Sequence, residues 1–113
     1  MPITRRQFEL GINEQVEEVM KAISEFLATR RQEAFEKHEL ASALGVLDAG
    51  DEPLERMRKF NSEVGLRFVS AMSRLVELGV VQVRLVEGSE YYATGRHALS
   101  DLLVGNSTPE NRG

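Results

Sequence analysis

The clearest pattern along the chain is a set of apolar residues at three- and four-residue steps: Val16, Val19, Met20, Ile23, Phe26 and Leu27. That spacing gathers them on one face and predicts an amphipathic helix from about Asn13 to Arg30. Asn13 suits the N-cap, Glu14, Glu17 and Glu18 suit the positive end of the helix dipole, and Arg30 and Arg31 suit the other end. Ahead of it, Thr4 to Leu10 reads as a short turn of helix stopped by Gly11. Residues 1–12 form a polar arm that nonetheless carries Phe8, Leu10 and Ile12. An arm with such residues docks on its own core or on a partner subunit.

A second helix is expected from Phe35 to Leu44, with Leu40, Ala41 and Leu44 on one face, Phe35 packing ahead of them and Gly45 as the stop. Residues 47–52 read as a turn, and Asp51 before Pro53 reads as a cap and first-turn pair. Then Leu54, Met57, Asn61, Val64, Phe68, Ala71, Leu75 and Leu78 again step by three and four. The spacing permits one helix over 53–78, whereas Gly65 and the Asn61–Ser62 pair favour two helices with a tight junction. After Gly79, residues Val80 to Val86 are strand-like, Glu87 to Glu90 read as a hairpin turn, and Tyr91 to Ala93 return with one tyrosine inward and the other outward. Thr94 is expected to cap a last helix from Gly95 to about Val104. The polar, turn-rich stretch 105–113 is expected to be disordered.

Composition narrows the class. The 113 residues make one domain, placed at 13–104, and 42% hydrophobic with 28% charged residues is ordinary for a globular chain. No apolar run approaches the roughly 20 residues of a membrane span, and the basic start is not followed by the apolar region of a secretory signal. There are no cysteines, which excludes disulfides, thiolate zinc sites and cysteine nucleophiles and fits a cytoplasmic location. His38 and His97 have no second histidine or cysteine to complete a metal site. His97, Ser100 and Asp101 crowd one helical turn without the buried acid and oxyanion site that a nucleophilic triad needs. There is no phosphate-binding glycine loop. The expectation is no enzyme, no metal and no cofactor.

The element order, three helices, a two-stranded hairpin and a short helix, is that of a winged helix domain. HELASALG at 38–45 resembles the first helix of many bacterial helix-turn-helix regulators. SRLVELGVV at 73–81, followed by a hairpin and YYATGRHAL at 91–99, resembles the PadR-like and MarR-like arrangement. The resemblance covers about Phe35 to Leu103. It implies an α+β winged helix fold and sequence-specific binding of duplex DNA as a small transcriptional regulator, with a recognition helix at about 62–78. The chain departs from that pattern in its long acidic connection, 45–61, and in Glu87 and Glu90 at the wing tip, where a cation would meet phosphate.

Charge is uneven. The formal net charge is −4, yet residues 56–74 hold Arg56, Arg58, Lys59, Arg67 and Arg74 against Glu63 alone. Helical spacing puts Arg67, Ser70 and Arg74 on one face, opposite Phe68 and Leu75. Under the DNA reading these three contact bases, and Arg56, Arg58, Lys59 and Arg84 contact phosphates. Arg84 equally suits a cross-strand ion pair with Glu90. The first helix and the arm would form a homodimer contact, presenting two heads to a pseudo-palindromic site. The alternative is a winged helix used for protein–protein interaction without DNA. A continuous positive face on the third helix would favour DNA, whereas an exposed apolar patch there would favour a protein partner. No residue cluster in the sequence points to a small-molecule effector.

Overall fold

Where the apolar period is strongest, the chain is helical. The computed structural model describes residues 2–104 and places α1 at Arg5–Leu10, α2 at Glu14–Ala28, α3 at Lys37–Ala43, α4 at Pro53–Phe60, α5 at Glu63–Glu77, β1 at Val81–Val86, β2 at Ser89–Thr94 and α6 at Leu99–Val104. Residues 105–113, expected to be disordered, lie outside the described residues. The architecture is α+β: helices around a two-stranded antiparallel hairpin.

The arm begins as expected. Thr4 accepts from the Gln7 backbone N–H, and the Gln7 side chain accepts from the Thr4 N–H, both at 3.0 Å. Gly11 at φ 74° ends the turn in a conformation that costs a residue with a Cβ more than glycine. Asn13 then caps α2 by accepting from the Val16 N–H at 2.8 Å. Met20, Ile23 and Leu27 of α2 are fully buried and face α5, whose Phe68, Ala71 and Leu75 are equally buried. Each of the larger side chains contributes roughly 1.5–3 kcal/mol on removal from water. Leu40 and Ala41 of α3, Val81 of β1, Tyr92 of β2 and Leu99 of α6 complete the same core.

The long apolar stripe of residues 54–78 is two helices, as the Asn61–Ser62 pair and Gly65 implied. Ser62 caps α5 by accepting from the Gly65 N–H at 3.2 Å. Gly65 is buried at the junction: a Cβ there would lie 2.0 Å from the Lys59 carbonyl oxygen and 2.5 Å from the Phe60 Cα. Only glycine lets α5 start so close to the end of α4.

Four local expectations are corrected. Phe35 does not open α3; it is extended and bridges Tyr92, donating to its carbonyl at 2.9 Å and accepting from its N–H at 2.7 Å. Its ring also meets Phe26 at 5.2 Å between centroids, which holds it outside the helix. Glu52, not Asp51, is the N-cap residue before Pro53. The Asp51 carboxylate turns back to accept from the Asp48 N–H at 2.8 Å. The hairpin turn is only Glu87–Gly88, both at positive φ, and Ser89 and Glu90 already pair with Val86 and Leu85. Finally, Thr94 closes β2 instead of capping a helix, and α6 starts at Leu99. Between them the Gly95 N–H donates to the Val80 carbonyl at 2.7 Å and the His97 N–H to the Gly79 carbonyl at 3.1 Å. Those bonds hold residues 95–97 against the start of β1 and out of the helix.

Candidate functional site

The solvent-facing side of α5 begins at its exposed N-terminal turn. Phe68, Ala71, Met72 and Leu75 point inward, which leaves Glu63, Leu66, Ser70, Ser73 and Glu77 as the outer row, with Arg67 and Arg74 on its edge. The three residues expected to read bases are therefore together on one side, but each arginine has an acid beside it. Arg67 lies 3.6 Å from Glu63, four residues earlier, and Arg74 pairs with Glu77. Ser70 is exposed and Arg74 half-buried, and both line a crevice of about 630 Å³ whose other wall is the N-terminal arm, at Ile3, Phe8 and Ile12. A Cβ on Gly11 would come within 3.1 Å of the Arg74 guanidinium. The arm thus stands beside the C-terminal half of the face on which base contacts were expected.

The four residues expected on phosphates separate into two pairs. Arg58 pairs with Glu55 on α4. Lys59 reaches back across the connection to Asp48 at 3.0 Å and Asp51 at 2.8 Å. These hydrogen bonds hold the Asp51 carboxyl below its ordinary value and raise Lys59 above its own. The acidic connection is therefore fastened to α4 by the very lysine expected on DNA. Arg56 and Arg84 have no acid within 4.0 Å among the described residues. Arg84 lies opposite Tyr91, and it is Leu85 that lies opposite Glu90, so the cross-strand ion pair does not form.

The larger feature is apolar and was not expected. Leu54 and Met57 on α4, Val64 and Leu66 at the start of α5, and Leu85 and Val86 near the hairpin tip are all more than half exposed, Leu54 and Leu85 at 79% and 71%. Met57, Phe60, Leu85 and Tyr92 line an open groove of about 810 Å³ between α4 and the hairpin. Its rim carries Lys37, His38 and Arg56 against Glu36 and Glu90. His38 Nδ1 is 3.2 Å from Glu36, and the Tyr92 hydroxyl donates to Glu90 at 3.2 Å. The period of three and four put Leu54 and Met57 in the core stripe, but the break at Asn61–Ser62 takes α4 out of line with α5. Leu85 shares the alternation of Val81 and Val83 but lies where β1 has run past the core. The break itself was the available signal: a stripe interrupted by a cap residue need not stay on one face.

Carboxylates outnumber cations over the same stretches of chain. Residues 36–67 and 84–90 together hold six arginines and lysines against nine carboxylates. Among the described residues no group of three or more histidines and acids could hold a metal ion, and no helix is long and apolar enough to cross a membrane. Comparison with protein-family models, with curated proteins and with solved structures finds no match.

Proposed function

We propose that this chain is a winged helix module that docks a protein partner through the apolar groove between α4 and the hairpin. The winged helix reading rests on the element order and on the Phe35–Tyr92 bridge, which adds a third, one-residue strand to the hairpin between the first two core helices. The protein-docking reading rests on one observation: large apolar side chains are exposed together on α4, the start of α5 and the hairpin, with Arg56 and Arg84 beside them. Leaving Leu54, Met57 and Leu85 in water forgoes the transfer free energy that burial supplies, and exposed apolar side chains that share a groove, as Met57 and Leu85 do, mark interaction surfaces. A partner presenting an apolar segment would recover it.

Sequence-specific duplex binding is the second reading. It is favoured by the placement of Arg67, Ser70 and Arg74 on one side of α5. The acids of the Arg67 and Arg74 ion pairs are exposed, so each pair is worth about 0–1 kcal/mol and a phosphate could displace either acid. Against it stands the excess of carboxylates on the neighbouring segments, residues 36–67 and 84–90, which repels a polyanion. A homodimer belongs to either reading. Phe8 is 67% exposed on the arm, and Ile3 is also exposed.

A photo-crosslinking side chain placed at Leu54 tests the proposal. The expected result is one discrete protein adduct, lost when Met57→Glu and Leu85→Glu are introduced together. Adducts to nucleic acid alone, or protein adducts that are the same in that double variant, would overturn it.

A further inference from the structure

The most cation-rich cavity shares no lining residue with the groove. It is a cleft of about 450 Å³ between the outer side of α2 and the segment joining β2 to α6. Lys21 and Arg31 line it from α2 and the turn after it, and Arg96 and His97 from the opposite wall. Glu25 is the single carboxylate of the lining. Arg31 and Arg96 have no acid within 4.0 Å among the described residues, whereas Lys21 is 3.4 Å from Glu17. In a chain of net charge −4 this cavity carries an excess of positive charge.

The wall that carries Arg96 and His97 is held in place. The Gly95 and His97 amides donate to the Val80 and Gly79 carbonyls at 2.7 and 3.1 Å. Gly95 sits so close that a Cβ would lie 2.4 Å from the Gly79 carbonyl oxygen. Gly79, at φ 78°, leaves room for the His97 ring: a Cβ there would meet its Cδ2 at 2.7 Å. Arg96 stands on this anchored wall and Arg31 lines the same cleft from the α2 side, and guanidinium forks are suited to bind an oxyanion bidentately. The remaining lining is largely apolar, with Ala28 and Leu99 among it, and a cleft of this volume has space for an organic body beside the anion.

We infer that this cleft binds a small phosphate ester, its phosphate between Arg31 and Arg96 and its organic part against the apolar wall. A dianion matches the surplus of fixed cations, and the planar guanidinium geometry favours phosphate. The inference does not depend on what the groove docks.

Amide NMR of the full chain tests it, with pyrophosphate, AMP, adenosine and a short DNA duplex as separate probes. AMP and pyrophosphate are expected to give saturable shifts at residues 28–31 and 95–98, and adenosine none. Arg31→Gln with Arg96→Gln is expected to weaken AMP binding by at least about tenfold, as the loss of charge-assisted hydrogen bonds implies. Both arginines are exposed, so the rest of the spectrum should be unchanged and report an intact fold. No saturable shift with AMP, shifts that survive the double variant, or shifts at these residues with the duplex alone would each overturn the inference.

Discussion

Two positions, Gly65 and Glu87, carry backbone demands that substitutions can measure, the first steric and the second conformational. Gly65 is the more severe. The backbone of α4 fills the space a side chain would need, so Gly65→Ala must push α4 and α5 apart. It is expected to destabilise by about 2–4 kcal/mol in urea unfolding, the range for overpacking at a closed junction. Gly50→Ala, where a Cβ meets nothing within 4 Å, is its control and should stay within about 0.5 kcal/mol of the parent. Glu87 makes the opposite case. It is the only non-glycine residue at positive φ among those described, at 50°, in a turn whose next residue, Gly88, is also left-handed. Asn tolerates that conformation better, so Glu87→Asn should stabilise the chain by about 0.5–1 kcal/mol in the same measurement. A loss of stability would mean that the glutamate has a compensating role.

At the scale of elements, the acidic connection and α4 act as one unit because Lys59 ties them together. Asp51 is held below its ordinary carboxyl value, first by its hydrogen bond to Lys59 and then by the Asp48 N–H. Its contribution to stability is therefore present above the unfolded carboxyl value, about 3.9, and is lost as pH falls through the lower folded value. Lys59 is raised, first by its hydrogen bond to Asp51 and then by that to Asp48. Its contribution is present below the unfolded value, about 10.4, and is lost as pH rises through the higher folded one. The tether thus operates across neutral pH and fails at both extremes. Lys59→Met should lower Tm relative to the parent at neutral pH, and the difference should shrink as acid protonates Asp51. A difference that persists unchanged in acid would show that Lys59 acts by packing alone.

How far the elements could be read depends on what each signal measures. α2 was legible because four turns of unbroken period and a capping Asn13 agree. The α4–α5 break was legible because Ser62 and Gly65 each interrupt a helix for a local reason. Phe35 was misplaced because its partners, Tyr92 and Phe26, lie far along the chain on one side and nine residues back on the other. Asp51 was taken for a cap because Lys59, its actual partner, becomes its neighbour only when the connection folds back. The candidate site was legible only in part. Helical spacing was enough to gather Arg67, Ser70 and Arg74, but their acidic neighbours and the arm beside Arg74 depend on side-chain and tertiary placement. The apolar groove was hidden in plain sequence, since Leu54 and Met57 obey the core period and only the turn between helices exposes them.

For the whole molecule, apolar exposure and charge lead to the same reading. The core spanning α2, α5 and the hairpin is closed. The large apolar residues left over lie on the arm, α4, the first half of α5 and the hairpin tip. Selection of bound duplexes from a random DNA pool, followed across salt, separates the protein-docking account from duplex reading most directly. The account predicts no enriched site and only weak, salt-suppressed binding in the parent chain. An enriched, roughly palindromic site would contradict it if its affinity collapses in Arg67→Ala with Arg74→Ala and survives Met57→Glu with Leu85→Glu.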